Sequence, residues 1–167
     1  RHGVDIVFLP LNLGTGGVHQ AQFLASEIPE LTWVDIRERG YLPLEDARDI
    51  FANATLTLCS RYHALVFSAA LGTPVISVMR EVTGDNRYYY NKNSGFLRKA
   101  LNGTQYDECD YLETDYLRGM RKVVENLPSI VSSQNQQLKQ GIDRNKGTLI
   151  ASRKALVANV LSEAEGR

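Results

Sequence analysis

The chain is poor in the residues that staple or anchor small domains. It holds two cysteines, Cys59 and Cys109, far apart in the 167 residues, and such a pair defines neither a disulfide framework nor a metal site. Their scarcity mildly favours a reducing compartment. Nineteen basic and nineteen acidic residues cancel to a formal net charge of zero, so neither a nucleic-acid backbone nor an anionic membrane is the expected partner. No stretch approaches the roughly 18 consecutive apolar residues of a membrane span. No internal repeat is visible. The opening Arg1-His2-Gly3-Val4 is neither a signal peptide nor a native start, and the chain is expected to be an excerpt of a longer protein. What remains, 43% hydrophobic and 23% charged, is enough for one domain with a real core and shows no sign of disorder.

Short apolar runs alternate with helical segments. Residues 4–9 (VDIVFL) predict a strand, Gly14-Thr15-Gly16-Gly17 a loop, and residues 18–28 a helix closed by Pro29. Residues 32–36 follow as a strand and 44–53 as a helix with Glu45 and Asp46 in its first turn, where acids suit the dipole. Runs at 56–59 and 75–78 complete four strands. The alternation predicts an α/β fold, a doubly wound parallel sheet with ligands at the carboxyl ends of its strands. Residues 82–93 read as a long loop and 94–102 as a short helix. Beyond them lie helices over 114–126 and from 129 to about 164, the second bent near Gly141 and Gly147. Residues 1–104 are therefore expected to form the α/β domain. Residues 105–167 would be a C-terminal helical arm packed on it or on a domain outside the chain.

The densest information lies in residues 54–78, ATLTLCSRYHALVFSAALGTPVISV. They read as strand, helix, strand, with Gly72 and Pro74 as stop signals. Arg61 and His63 fall at the start of the helix, where a cation costs a few tenths to about 1 kcal/mol against the dipole. An anion held by both side chains and the free backbone N–H groups would account for them. A surface arginine beside a core histidine bonded to a carbonyl is the other reading. The Gly14–Gly17 loop is either a phosphate cradle or a plain turn. It matches neither the dinucleotide fingerprint nor a P-loop, which would need a further glycine or a Lys-Ser/Thr pair. Asn12, Gly16 and His19 are candidates at the same sheet edge, against a reading as solvent or cap residues.

Ser60, Arg61, Tyr62, His63, Ala64, Gly72, Thr73, Pro74 and Val75 resemble the signature of the polysaccharide pyruvyl transferase family. That signature is a buried strand, Ser or Met, Arg, an apolar or aromatic residue, His, Ala, a small-residue helix, Gly-x-Pro and another strand. The likeness extends downstream through Tyr90, Asn91, Lys92 and Gly95-Phe96-Leu97, and upstream to residues 7–10. It implies a Rossmann-like half of a glycosyltransferase B-like architecture. The implied enzyme moves pyruvate from phosphoenolpyruvate onto two hydroxyls of a saccharide or glycolipid acceptor as a ketal, with no metal or cofactor and with the rest of the site on an N-terminal domain.

By the same resemblance, Arg61, the backbone of Tyr62, and His63 bind the donor. Ser60 is a further donor-binding candidate, His63 is the candidate acid catalyst, and Lys92 is a candidate second anion grip from the loop, against a reading as a solvated loop lysine. A nucleotide-sugar glycosyltransferase domain, with Glu81 on the ribose, and a non-catalytic sugar-binding module are the alternatives. The family works in the bacterial cytoplasm, while eukaryotic relatives work in the Golgi lumen. The sequons at Asn53 and Asn102 bear on that choice, and the cytoplasm is the expectation.

Overall fold

The computed structural model describes residues 3, 5–10, 13, 17–79 and 86–165, tracing residues 86–90, 149–150 and 152–165 by their backbone alone. The chain divides into two compact units, Arg1–Ile50 and Phe51–Arg167. In the first, β1 (Ile6–Phe8) pairs in parallel with β2 (Leu31–Trp33), Ile6 opposite Leu31. Between them runs α1 (Val18–Glu27), which buries Val18 and Ala21. Pro29 ends it. Ile28, the residue before that proline, is extended at φ −125° and ψ 94°, because the proline ring disfavours a helical neighbour. The helix α2 (Leu44–Asn53), with Glu45 and Asp46 in its first turn, spans the junction between the units.

The second unit is built on three parallel strands in the order β3 (Thr57–Cys59), β4 (Val75–Val78), β5 (Leu112–Glu113). The helix α3 (Tyr62–Leu71) connects β3 to β4, and α4 (Asn86–Ala100) and a 3-10 turn (Glu108–Asp110) lead to β5. The last helix, α5 (Tyr116–Glu165), departs from helical geometry at Asn126 (φ −127°, ψ 16°), two residues before Pro128. Every residue of β4 is buried, and its side chains alternate between two cores. Val75, with Met79 just past the strand, joins Leu65 of α3, Leu97 and Leu101 of α4, Tyr111 and Leu138, while Ile76 and Val78 join Ile130 of α5. Such alternation is the period of a strand covered on both faces.

The mixed α/β class and parallel pairing agree with the sequence pattern, while several details differ from it. Hydrogen bonding joins the strands into a two-stranded and a three-stranded sheet. The two-residue β5 is too short to show a period. The stretch read as a loop over 82–93 is helical from Asn86 onward, its asparagines and tyrosines being middling helix formers whose identity hides the element. Gly141 and Gly147 do not bend α5. A Cβ at Gly141 would run into the Ala100 carbonyl oxygen, so this glycine serves close approach between two helices. One turn on, Asn145 donates to the Ala100 carbonyl at 2.8 Å and the Lys99 carbonyl at 3.3 Å, satisfying oxygens that the end of α4 leaves without helical partners.

A buried amide completes the sheet. The N–H groups of Ser77 and Met79 donate to the Tyr111 and Glu113 carbonyls at 2.7 and 2.8 Å, but β5 begins too late to serve Val75. Gln134 of α5, 0% exposed, takes its place, accepting from the Val75 N–H at 2.6 Å and donating to the Asp110 carbonyl at 2.7 Å. Replacing Gln134 by Leu should therefore strand one donor and one acceptor, at about 1–3 kcal/mol each. Urea unfolding is expected to show a loss of about 2–6 kcal/mol. A loss under about 1 kcal/mol would mean that water serves both groups.

Candidate functional site

The carboxyl edge of the three-stranded sheet is where the sequence signature lands. After Cys59 the chain turns through Ser60 and Arg61 into α3. Arg61 occupies the N-cap in extended conformation (φ −106°, ψ 133°), with no side-chain cap bond and no acid in the first turn. Its carbonyl accepts from the N–H groups of Ala64 and Leu65 at 3.1 and 3.3 Å, while the N–H groups of Tyr62 and His63, at the head of the first turn, have no carbonyl to meet within the helix. At the other end Gly72 takes the left-handed conformation (φ 78°), which lets the chain reverse into β4. Ser60, Arg61 and His63 are exposed and Tyr62 is half-buried. His63 is therefore no core histidine, and a bare helix start flanked by an arginine and a histidine faces solvent.

A third cation comes from α4. The Lys92 ammonium stands over the Tyr62 ring, 4.1 Å from its centroid, and the ring meets His63 edge-on at 5.8 Å and Phe96 at 6.0 Å. Lys92, read from the sequence as a loop residue, is thus held on a helix beside the first turn of α3. The fold brings Lys92 against the Tyr62 ring that meets His63, with Ser60 and Arg61 adjoining them along the chain in the turn before α3. Among the described residues no carboxylate pairs with Arg61 or Lys92. Of the other candidates, His19 is exposed in the first turn of α1, in the first unit, and Asn12, Gly16 and Glu81 lie outside the described residues.

Four residues at this end of the sheet carry interactions that local pattern did not single out. Glu113, at the end of β5, is 6% exposed. It accepts from the backbone of Thr114 and Asp115 at 2.9 and 3.1 Å and from Arg118 Nε at 2.8 Å. The Arg118 guanidinium, with help from those N–H groups, holds its carboxyl below the ordinary value of 4.5. Beneath the site, Asn93 of α4 donates to the Ser77 hydroxyl at 3.2 Å, both residues buried. Ser77 was visible as the lone polar residue of an otherwise apolar strand. Beside it burial pushes the Cys59 thiol up to about 12, which leaves this partly buried residue, packed against the core, an inert thiol.

A shallow cleft of about 620 Å³ lined by Gln105, Tyr106, Asp107, Glu108 and Gln137 opens ahead of β5. That is the amino end of the strand, away from where parallel sheets bind ligands. No group of side chains among the described residues could hold a metal ion. Nor is any described helix long and apolar enough to cross a membrane.

Parallel strands leading into a bare, cation-flanked helix start define a protein of the α/β class with its ligand edge at the strand ends. Residues 2–81 match the family model described as polysaccharide pyruvyl transferase. The family that the Ser60–Val75 signature resembles is therefore the family that the chain matches, over a span holding the signature and the segment upstream of it, and it is a family of transferases. The downstream likeness, Tyr90 to Leu97, lies beyond that span. No curated protein and no solved structure matches the chain.

The Glu113 clamp carries a pH signature. Its folded-state pKa is depressed, so its contribution is fully present above the ordinary value of 4.5 and is lost as pH falls through the lowered one. Melting curves of the protein and of Glu113→Gln should differ by a constant gap at neutral and mildly acidic pH, closing only at the acid end. A gap unchanged across the acid range would show that the carboxylate is not engaged in the folded state.

Proposed function

We propose that this chain forms the donor-binding part of an enzyme that transfers pyruvate from phosphoenolpyruvate to a saccharide as a cyclic ketal. The observation that carries the proposal is the meeting of Arg61, the free N–H groups of the α3 start, His63 and Lys92 at the carboxyl edge of the sheet. The family match narrows the chemistry. Phosphoenolpyruvate bears a carboxylate and a phosphate, and it must be gripped at both while its terminal carbon gains a proton.

Arg61 presents a planar fork suited to two oxygens of one oxyanion. The N–H groups of Tyr62 and His63 take further oxygens, with the helix dipole behind them. Lys92 supplies a compact second charge. In this reading His63 donates a proton toward the vinyl carbon, which makes C2 electrophilic. One acceptor hydroxyl adds to C2 with loss of its proton. The second closes the ketal as the C2–O bond to phosphate breaks, its proton leaving with the inorganic phosphate, while the proton lost by the first hydroxyl restores the one that His63 gave up. The nucleotide-sugar alternative asks for a carboxylate free to hold ribose hydroxyls. Of the described acids at this edge, Glu113 has both oxygens engaged, and Asp115 accepts the Arg118 N–H through Oδ1 at the start of α5, on the β5 side away from the Arg61 turn.

Bacterial relatives place this chemistry in the cytoplasm, and we assign it there. Unmodified Asn53 and Asn102 in the intact mass of the native protein agree with that assignment, and glycans on either would move it to a secretory lumen.

The direct test is ligand-dependent melting and calorimetry of the protein. Phosphoenolpyruvate should raise the melting temperature where a nucleoside diphosphate sugar does not. Arg61→Lys should weaken phosphoenolpyruvate binding by one to two decades although charge is kept, since each charge-assisted bond lost costs about 1.5–3 kcal/mol. Stabilisation by the nucleotide sugar alone would overturn the assignment, and stabilisation by neither would favour a non-catalytic sugar-binding module.

A further inference from the structure

The donor grip draws on three separate elements: the β3–α3 turn for Arg61, α3 for Tyr62 and His63, and α4 for Lys92. At the surface, α4 meets the other two through Lys92 and Phe96 on the Tyr62 ring, contacts that themselves depend on how α4 is turned. Adjacent residues on a helix point about 100° apart, so a rotation of α4 by one residue would carry Lys92 away from Tyr62. An all-apolar contact would tolerate such slippage better than a hydrogen bond does.

At this level the core is not all apolar. Asn93, the residue after Lys92, is 5% exposed, and its amide nitrogen donates to the Ser77 hydroxyl at 3.2 Å. Ser77 is 0% exposed in the central strand and stands in register with Cys59 on β3. The buried Asn93–Ser77 bond thus ties α4 to the β4 residue that stands opposite the start of the Arg61 turn. Burying an amide and a hydroxyl gains little net stability over apolar groups of the same shape, and each is costly if its partner is lost. What the pair supplies is register on the β4 side of α4, where the neighbouring Ser94, 2% exposed, ties the helix to Glu108 at 2.6 Å on the β5 side. Resting on the donor-site reading above, we propose that Asn93, acting through Ser77, is a positioning residue that pins α4 in the one rotation placing Lys92 over Tyr62 beside Arg61.

The test replaces both partners at once, Asn93→Leu with Ser77→Ala, so that no buried polar group is stranded and the fold is kept. Two readouts are taken on the full chain. Isotopic dimethylation of the lysines, with the Lys92 signal assigned by Lys92→Arg, reports through its ring-current shift whether the ammonium still sits over Tyr62. Calorimetry with phosphoenolpyruvate reports donor affinity. The expected result is a folded variant in which the ring-current shift disappears and donor affinity falls about tenfold. Combined with Lys92→Ala, the double replacement should cost no further affinity, because the group it positions is already gone.

A retained ring-current shift would overturn the proposal, as would full donor affinity once that shift is lost. Should the protein itself fail to bind phosphoenolpyruvate while the shift still vanishes in the variant, the donor reading falls and the register pin stands. If the double variant does not fold, Ser77→Ala alone, which removes one buried oxygen, is read in the same two ways.

Discussion

The central strand of the second unit must find a partner for every backbone group it buries, and the rest of that unit is arranged around this requirement. β4 is covered on both faces and flanked on both sides, so no water reaches its N–H groups. Thr57 binds the chain at Pro74 on one side. On the other, β5 serves Ser77 and Met79 but not Val75, and the amide of Gln134 fills the place of the missing carbonyl. A side chain standing in for a strand fixes the distant helix α5 to the sheet. The same helix closes the end of α4 through Asn145 and approaches it closely at Gly141.

Once β4 lies between two parallel neighbours, the position of the candidate site follows. Parallel pairing sends every strand-to-helix turn to one edge, and neighbouring strands stand about 4.8 Å apart. The turn after β3 and the turn after β5 therefore flank the end of β4 at close range. The first carries Arg61 and the unpartnered start of α3. The second is closed by the Glu113–Arg118 clamp, a carboxylate satisfied within its own turn. The edge thus has a cationic side with open donors and a neutralised side, a polarity suited to holding an anion next to β3.

How legible this was in the sequence depends on range. The strand, turn and helix of residues 54–78 could be read because their signals are local: apolar runs, Gly72 and Pro74 as stops, and two cations at a helix start. The helix break ahead of Pro128 was legible for the same reason. The unread features depend on partners remote in sequence. β5 has two residues and exists through its bonds to β4. The start of α4 is hidden by asparagines and tyrosines of middling helix propensity. Gly141 looked like a hinge because a glycine needed for close approach and one needed for bending are the same letter. Gln134 and Asn93 sit among other polar residues, and only the fold shows that these two point inward. Ser77 did leave a trace, as a hydroxyl inside a buried apolar strand.

The central claim is that the start of α3 is an anion site for phosphoenolpyruvate, and the most direct measurement is its titration into the isotopically labelled protein, followed amide by amide. The account requires saturable shifts centred on the backbone N–H groups of Tyr62 and His63, with the Lys92 side chain responding in parallel. Shifts that never saturate, or that gather at the Gln105–Glu108 cleft while the Arg61 turn stays silent, would contradict it.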